Sequence, residues 1–387
     1  MSALPQAEWL NLLIGLLQSA QLALLRGLDA LGLVGSVHGQ PAWPWGQRLS
    51  GENLLIDLPQ ARHLALTLVL LAVALAMLIV ALLWRRPRFY LLAMLPLVLV
   101  AAPWPDAQVV LVPANPASFH TSTTGFTAAS IARGQTLYGQ HCVTCHGADG
   151  RGQGQQASAQ PVWPPNLTGP LLWRRADGDV LWHILHGMRD RHRVLTMPGF
   201  EQRLGVGDAW ALIDFMKAQA AGETLRAAGF WAQPIGLPDV TVRCEGQPAR
   251  ALASWRGQRV RVVADGPVAT PVFEDPRFVT VLLRPDVAPA AHASAACVAD
   301  GPEAWAAFAL VAGTGQLAGT QLLSDRDGWL RARGQPGKSS WSDEDLLCRS
   351  TDAPRATTGP MPADGLAALI ALMDAEPVRF VKGGFVH

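Results

Sequence analysis

From Leu64 to Trp84 the chain is apolar without a break except at Thr67. Coiled as a helix rising about 1.5 Å per residue, a stretch of that length matches the roughly 30 Å hydrocarbon core of a bilayer. Within hydrocarbon every backbone N–H and C=O must be satisfied inside the segment, which leaves helix as its only local structure. Residues 64–84 are therefore expected to form a transmembrane helix. A second, shorter apolar run extends from Phe89 to Pro105, contains Pro96 and ends in Ala-Pro-Trp-Pro. It is expected to span as well and to break near the interface, where Trp104 would anchor it.

Arg85-Arg86-Pro87-Arg88 separates the two runs. Short loops rich in arginine stay on the cytoplasmic side, so the chain after about residue 106 is expected on the opposite side. Composition agrees with a membrane segment: half of the 387 residues are hydrophobic and only 16% are charged, too apolar for an ordinary soluble protein. A formal net charge of +1, with no basic stripe interleaved with aromatics, argues against nucleic acid as a partner. No basic n-region and no small-residue cleavage site precede the first apolar stretch, so a cleaved signal peptide is not expected. Trp9 to Leu33 is leucine-rich but carries Arg26 and Asp29. It reads either as a further spanning helix or as an amphipathic helix lying on the surface. Leu54 to Leu66 has the same two readings. His63, at the head of the main helix, is read as a polar boundary residue rather than a haem b ligand.

Cys142-Val-Thr-Cys145-His146 carries the chemistry. Two thiols spaced by two residues can each add to a vinyl group of one porphyrin, with the adjacent His146 placed to ligate the iron. A redox dithiol or half of a zinc site would use the same two cysteines. The histidine directly after the second, and the lack of another Cys-x-x-Cys to complete a zinc tetrahedron, favour a covalent haem c. Downstream, Leu195-Thr-Met-Pro-Gly-Phe200 offers the Met197 thioether as the distal ligand, which would raise the reduction potential. Met188, His183, His186 and His192 are its rivals. A methionine is more often core packing than a ligand; the Met-Pro pair at this distance from the motif favours Met197. Arg189, Arg191 and Arg193 precede this loop and read either as a basic patch beside the haem edge, facing an acidic partner, or as an ordinary solvated loop.

On these residues, 126–222 resembles a class I monohaem cytochrome c domain. In that family a first helix carries a glycine and an aromatic, matched by Gly134 and Tyr138. Pro164-Pro165-Asn166-Leu167 fits the loop after the motif, and Asp208 to Lys217 fits the closing helix, with Trp210, Ile213 and Met216 spaced to face a core. The resemblance implies one covalent haem c held by Cys142, Cys145, His146 and Met197, and an electron carrier rather than an enzyme. The N-terminal third is similar, in hydropathy and order of segments, to copper-resistance D-type membrane proteins. It lacks a Met-rich or His-rich cluster, so copper transport is not carried over.

Beyond Gly222 the pattern becomes strand-like. Val240–Arg243, Arg259–Val263 and Val279–Leu283 are beta-branched runs bounded by Gly and Pro. Gln321 to Arg331 reads as two strands joined by a turn at Asp325-Arg-Asp-Gly328. Helices are expected over Pro302–Ala309 and Ala363–Met373, and a last strand over Val378–Val381. With Ala253-Ser-Trp-Arg-Gly-Gln258 and Ser324–Trp329 as the carrying residues, 235–387 resembles the thioredoxin-like fold of peroxiredoxin and cytochrome-assembly proteins. Where that family places its Cys-x-x-Cys this chain has Ala264–Pro271 without cysteine, and no proline precedes the Gln321 strand. Thiol–disulfide exchange has neither attacking thiolate nor resolving partner here, so the domain is read as catalytically silent. Of Cys244, Cys297 and Cys348, one pair is expected to form a structural disulfide, leaving one over.

The expected fold class is thus multidomain: an α-helical membrane anchor (1–106), a linker (107–125), an all-α cytochrome c domain (126–222) and an α/β thioredoxin-like C-terminal domain (235–387). The expected function is single-electron transfer on the periplasmic face of a bacterial inner membrane, between redox protein partners in or at the bilayer. Two other readings compete with it. In one, a haem enzyme or sensor has an open coordination site with His192 beside it. In the other, the C-terminal domain docks the cytochrome on an oxidase, reductase or copper-handling assembly.

Overall fold

The computed structural model describes residues 6–51, 53–54, 57–266, 274–286, 295–336, 340–348 and 364–382. It divides into two compact units, one of residues 1–119 with 381–385 and one of residues 120–380 with 386–387.

The first unit opens with helix α1 (Gln6–Ala30), a hairpin of β1 (Ser36–Val37) and β2 (Gln40–Pro41), and strand β3 (Gln47–Leu49). Helix α2 runs over Leu58–Leu83, beginning earlier than the apolar run because Asp57 caps it, its carboxylate accepting from the Gln60 amide at 3.2 Å. Along α2 the buried positions are Ala61, Leu64, Thr67, Ala74 and Ala81, while Leu66, Val69, Leu75 and Leu82 are exposed. Helix α3 (Arg88–Ala101) doubles back along the small-residue side. Arg88 Nε donates to the Ala81 carbonyl at one end, and Thr67 Oγ1 donates to the Pro103 carbonyl at the other. The expectation of a second helix reaching Pro105 is corrected: α3 has 14 residues, about 21 Å of helix, and ends at Ala101 because the prolines beyond cannot continue it. The expected linker carries local structure. Its first part forms α4 (Ala107–Val110) and β4 (Leu111–Pro113), and β4 pairs antiparallel with β3, setting Leu49 opposite Leu111.

The second unit contains two layers of structure. Helix α5 (Ala128–His141), capped by Thr127, leads into the short α6 (Val143–His146); α7 (Leu171–Arg174) and α8 (Asp177–His186) follow. The hairpin of β5 (Met188–Arg189) and β6 (Leu195–Met197) comes next, and α9 (Val206–Ala228) closes this part at Gly229, where φ is 81°. The all-α expectation is therefore corrected by one hairpin. The Asp190 carboxylate accepts from the amides of His192 and Val194 at 2.8 and 2.9 Å, forming a local turn that helical periodicity does not reveal. Helix α5 crosses α9 at Gly134, where a Cβ would lie 2.0 Å from the Ala211 carbonyl oxygen.

The remainder is a seven-stranded sheet in the order β13-β12-β9-β10-β11-β7-β8. Its strands are β7 (Thr241–Cys244), β8 (Arg250–Ala251), β9 (Val260–Ala264), β10 (Val279–Arg284), β11 (Cys297–Asp300), β12 (Gln321–Ser324) and β13 (Leu330–Gly334). Strands β9, β10 and β11 are parallel, and the rest pair antiparallel. Helices α10 (Pro302–Val311) and α11 (Gly365–Ala375) belong to the same region. The expected strand at Val378–Val381 is irregular; Val378 is buried, so side-chain packing rather than a ladder accounts for its apolar pattern. Of the cysteine-free stretch Ala264–Pro271, residues 267–271 lie outside the described residues. Cys244 and Cys297 stand directly opposite each other on β7 and β11 and form the disulfide, with Cys348 buried and outside it. The fully buried Arg331 on β13 is satisfied by the carbonyls of Cys348, Met373 and Glu376 and by Asp325 at 3.3 Å.

Candidate haem site

Between α5, α6, α8, the β5–β6 hairpin and α9 lies a cavity of about 320 Å3, within the size range of cofactor pockets. Cys142, Cys145 and His146 line it, and so do Met188 and Met197. Tyr138, Leu172, Ile184, Phe200, Leu212 and Met216 supply apolar lining.

The motif wall is held by backbone, not by chance packing. The His146 amide donates to the Cys142 carbonyl, and the following loop zips onto the motif: Gly152 N to His146 O at 2.8 Å, Gly154 N to Cys145 O at 3.1 Å. Only residues without a Cβ allow that approach. A Cβ on Gly152 would sit 2.2 Å from the Pro164 carbonyl oxygen, and one on Gly154 would sit 2.3 Å from that of Thr144. Tyr138 Oη donates to the Gly147 carbonyl at 2.9 Å, tying the motif back to α5. Burial pushes the Tyr138 phenol above its ordinary range.

Burial also pushes the Cys142 thiol up to about 12, with Cys145 adding to the shift, so the free thiol stays protonated. The His146 imidazole is held below its ordinary value by burial, against the opposing pull of the Pro165 carbonyl. Its Nδ1 is buried and makes no well-formed hydrogen bond, although the Pro165 carbonyl acts on the ring as an acceptor. A neutral imidazole keeps one ring nitrogen with a lone pair able to ligate a metal. The residues fit a covalently attached haem: paired thiols, a neutral histidine and thioethers line one apolar cavity.

The distal candidates fall into two groups, those that line the cavity and those that do not. Met188 and Met197 are paired positions of β5 and β6, so both present to one face and both line the cavity. His183 lines it as well, its ring held below the ordinary value by burial and by Arg175. His186 and His192 are exposed and lie outside the lining; His186 pairs with Glu201 at 3.3 Å. Arg189, Arg191 and Arg193 are all exposed on the hairpin, Arg193 with φ of 63°. The Met loop is pinned to α8 by Phe200 N to Ile184 O, and by Gly187, whose Cβ would lie 2.5 Å from the Met197 carbonyl oxygen. Sequence reasoning missed Arg175 and the mouth residues Val162 and Trp163, which line the cavity although 52% and 58% exposed. No motif marks them; only the fold brings them there. Among the described residues no cluster of three or more His, Cys, Asp and Glu side chains could hold a metal ion.

Residues 129–216, from α5 to α9, match the family described as Cytochrome C oxidase, cbb3-type, subunit III. No curated protein matches the chain. A solved structure from the reducing HAO-like protein complex of Kuenenia stuttgartiensis is similar at 23% identity, over 32% of this chain and 59% of that one, with a TM-score of 0.23. The chain thus spans less than two thirds of that protein, and an overlap this loose carries no argument about fold or partners. The motif, the cavity and the family match together make residues 129–216 a class I-like monohaem cytochrome c domain of the cbb3-type family.

Proposed function

We propose that this chain is a membrane-anchored c-type cytochrome that passes single electrons between redox proteins on the periplasmic face of a bacterial inner membrane. The observation that supports the reading is an apolar cavity lined by Cys142, Cys145 and His146 together with Met197. When bound, one haem c would supply a one-electron couple, with a thioether ligand favouring the reduced state. Cys142 and Cys145 would hold it by two thioether links, and neutral His146 would ligate the iron. Met197, on the loop pinned to α8, would supply the second iron ligand, with Met188 and His183 also lining the cavity as its rivals.

Closure on both sides suits outer-sphere transfer rather than catalysis, so the chain is read as a carrier and not an enzyme. His192, the distal group an enzyme or sensor would need, is exposed on the hairpin and away from the cavity. Residues 58–101 supply the anchor: α2 is long and apolar enough to cross a bilayer, and α3 doubles back along it. The anchor raises the effective concentration of the haem near partner complexes. The arginines of the β5–β6 hairpin suit an acidic surface on such a partner. The C-terminal region is read as a thioredoxin-like docking domain. Its support is the β13-β12-β9-β10 order, with β9 and β10 parallel and β12 antiparallel.

Optical spectra of the purified protein test the ligand set. Met197→Ala is expected to abolish the long-wavelength charge-transfer band of Met–iron ligation and lower the reduction potential, while Met188→Ala retains both. Retention of the band in Met197→Ala would overturn the assignment, and absence of haem staining after denaturation would overturn the covalent haem itself.

A further inference from the structure

By length and composition alone α1 qualifies as a membrane span. Its contacts point elsewhere. Leu10, Leu13, Ile14 and Leu17 pack in one cluster with Leu54, Val110 and, of α2, only its first turns at Ala61 and Leu64, and Val381 packs against the same cluster. Further along, Gln21 is buried and bonds the backbone of β3 both ways, its Nε2 donating to the Leu49 carbonyl at 3.1 Å and its Oε1 accepting from the Leu49 amide at 2.8 Å.

Every one of these partners lies at a single end of α2, the end where its apolar run begins. A spanning α1 would place residues 10–21 near mid-bilayer. They would then pull β3, β4 and the Asp57 cap, with their exposed backbone groups, into hydrocarbon, where open strand edges are not tolerated. The face of α1 turned away from this packing is also apolar. Leu12, Leu16 and Leu24 are 60%, 69% and 48% exposed, with Ala20 exposed between them, a row repeating every four residues. Arg26 and Asp29 are exposed beyond it. The opposite, packed face of the same helix meets α2 at Ala61 and Leu64, where the α2 apolar run begins.

We infer that α1 does not cross the membrane but lies in the outer bilayer interface, its Leu12–Leu16–Ala20–Leu24 row seated on the lipid surface. The inference rests on the membrane-anchor reading and deepens it: the chain crosses by the α2–α3 hairpin, and α1 is a brace between that hairpin and the β3–β4 ribbon. An interfacial amphipathic helix of this kind sits about 5–10 Å into the headgroup boundary.

Nitroxide depth measurements on the full-length haem protein in liposomes of phosphatidylethanolamine and phosphatidylglycerol test it. Leu12→Cys, Leu16→Cys, Ala20→Cys and Leu24→Cys are exposed substitutions that leave the packed face intact. Leu75→Cys in α2 is the membrane reference, and the unsubstituted protein the labelling blank. All four α1 labels are expected at one shallow depth, with Leu75 deep. A graded depth, differing by about 18 Å between Leu12 and Leu24 as a spanning helix requires, would overturn the inference while leaving the anchor intact. Water-exposed α1 labels with Leu75 deep would also overturn it, meaning that water or a second copy covers the row. A water-exposed Leu75 would overturn the anchor reading itself.

Discussion

Burial, with Arg175 adding to it and Asp179 opposing, holds the His183 imidazole below its ordinary value. Folding therefore favours the neutral ring, whereas the unfolded chain takes up a proton near 6.5. The stability this contributes is complete above that value and is lost as pH falls below it towards the depressed folded value, because the unfolded state then binds more protons. Denaturant midpoints of the intact protein are expected to fall from about pH 7.5 to about pH 5, with a shallower slope in His183→Gln; an unchanged slope would remove His183 from the account. At this scale the sequence was most legible where chemistry dictates spacing, as in Cys142, Cys145 and His146. The distal side was less so. Met188 and Met197 are separated along the chain but paired across a hairpin, and His192 is near in sequence but turned to solvent. That distinction lives in the Asp190 turn, which no periodicity announces.

Helix α5 offers a matched pair of glycines with opposite expected effects. A Cβ at Gly134 would meet the Ala211 carbonyl at 2.0 Å, whereas one at Gly139 meets nothing within 4 Å. Gly134→Ala is expected to separate α5 from α9 and destabilise by about 1–3 kcal/mol, the cost of overpacking. Gly139→Ala should stabilise by about 0.5–1 kcal/mol, since alanine gives up less backbone entropy in a helix. Denaturant titrations followed at the haem band would distinguish them; equal effects would mean that helix propensity, not the crossing, decides. The Cys244–Cys297 bridge spans 53 residues of sequence and links β7 to β11. Its removal by paired serine substitutions should cost about 2–4 kcal/mol through the unfolded chain, leaving the haem spectrum unchanged. Elements were legible where patterns are regular: the apolar α2, the beta-branched β9 and β10, and the β12–β13 hairpin with its Asp-Gly turn. Strand β11 (Cys-Val-Ala-Asp) is too short and mixed to declare itself, and Val378–Val381 shows that an apolar alternation can serve packing alone. Residues 107–113 read as linker because β4 draws its pairing from β3, far earlier in the chain.

On the scale of the molecule, the cytochrome helices and the sheet are not beads on a string. Gly222 of α9 lies so close to α10 that a Cβ would fall 2.0 Å from the Leu310 carbonyl oxygen. Trp231, fully buried just after α9, donates its indole N–H to the Val311 carbonyl at 2.9 Å and its amide to Leu347. Reciprocal bonds also join the start of α5 to the segment before β7: Ala128 N to Asp239 O at 2.9 Å and Asp239 N to Phe126 O at 3.0 Å. A composition shift after Gly222 marks a change of local structure, but it carries no information about whether the parts share a core. Because these contacts couple the haem-bearing helices to the sheet, both should unfold as one cooperative transition, with the haem band and tryptophan fluorescence coinciding in denaturant. Gly222→Val places a branched side chain against the α10 backbone, far from the cavity lining, and should split that transition into two while the native haem spectrum persists. Two transitions already present in the unsubstituted protein would show instead that the α9–α10 contact holds position without coupling stability. The C-terminal region would then be free to move relative to the haem it is proposed to dock.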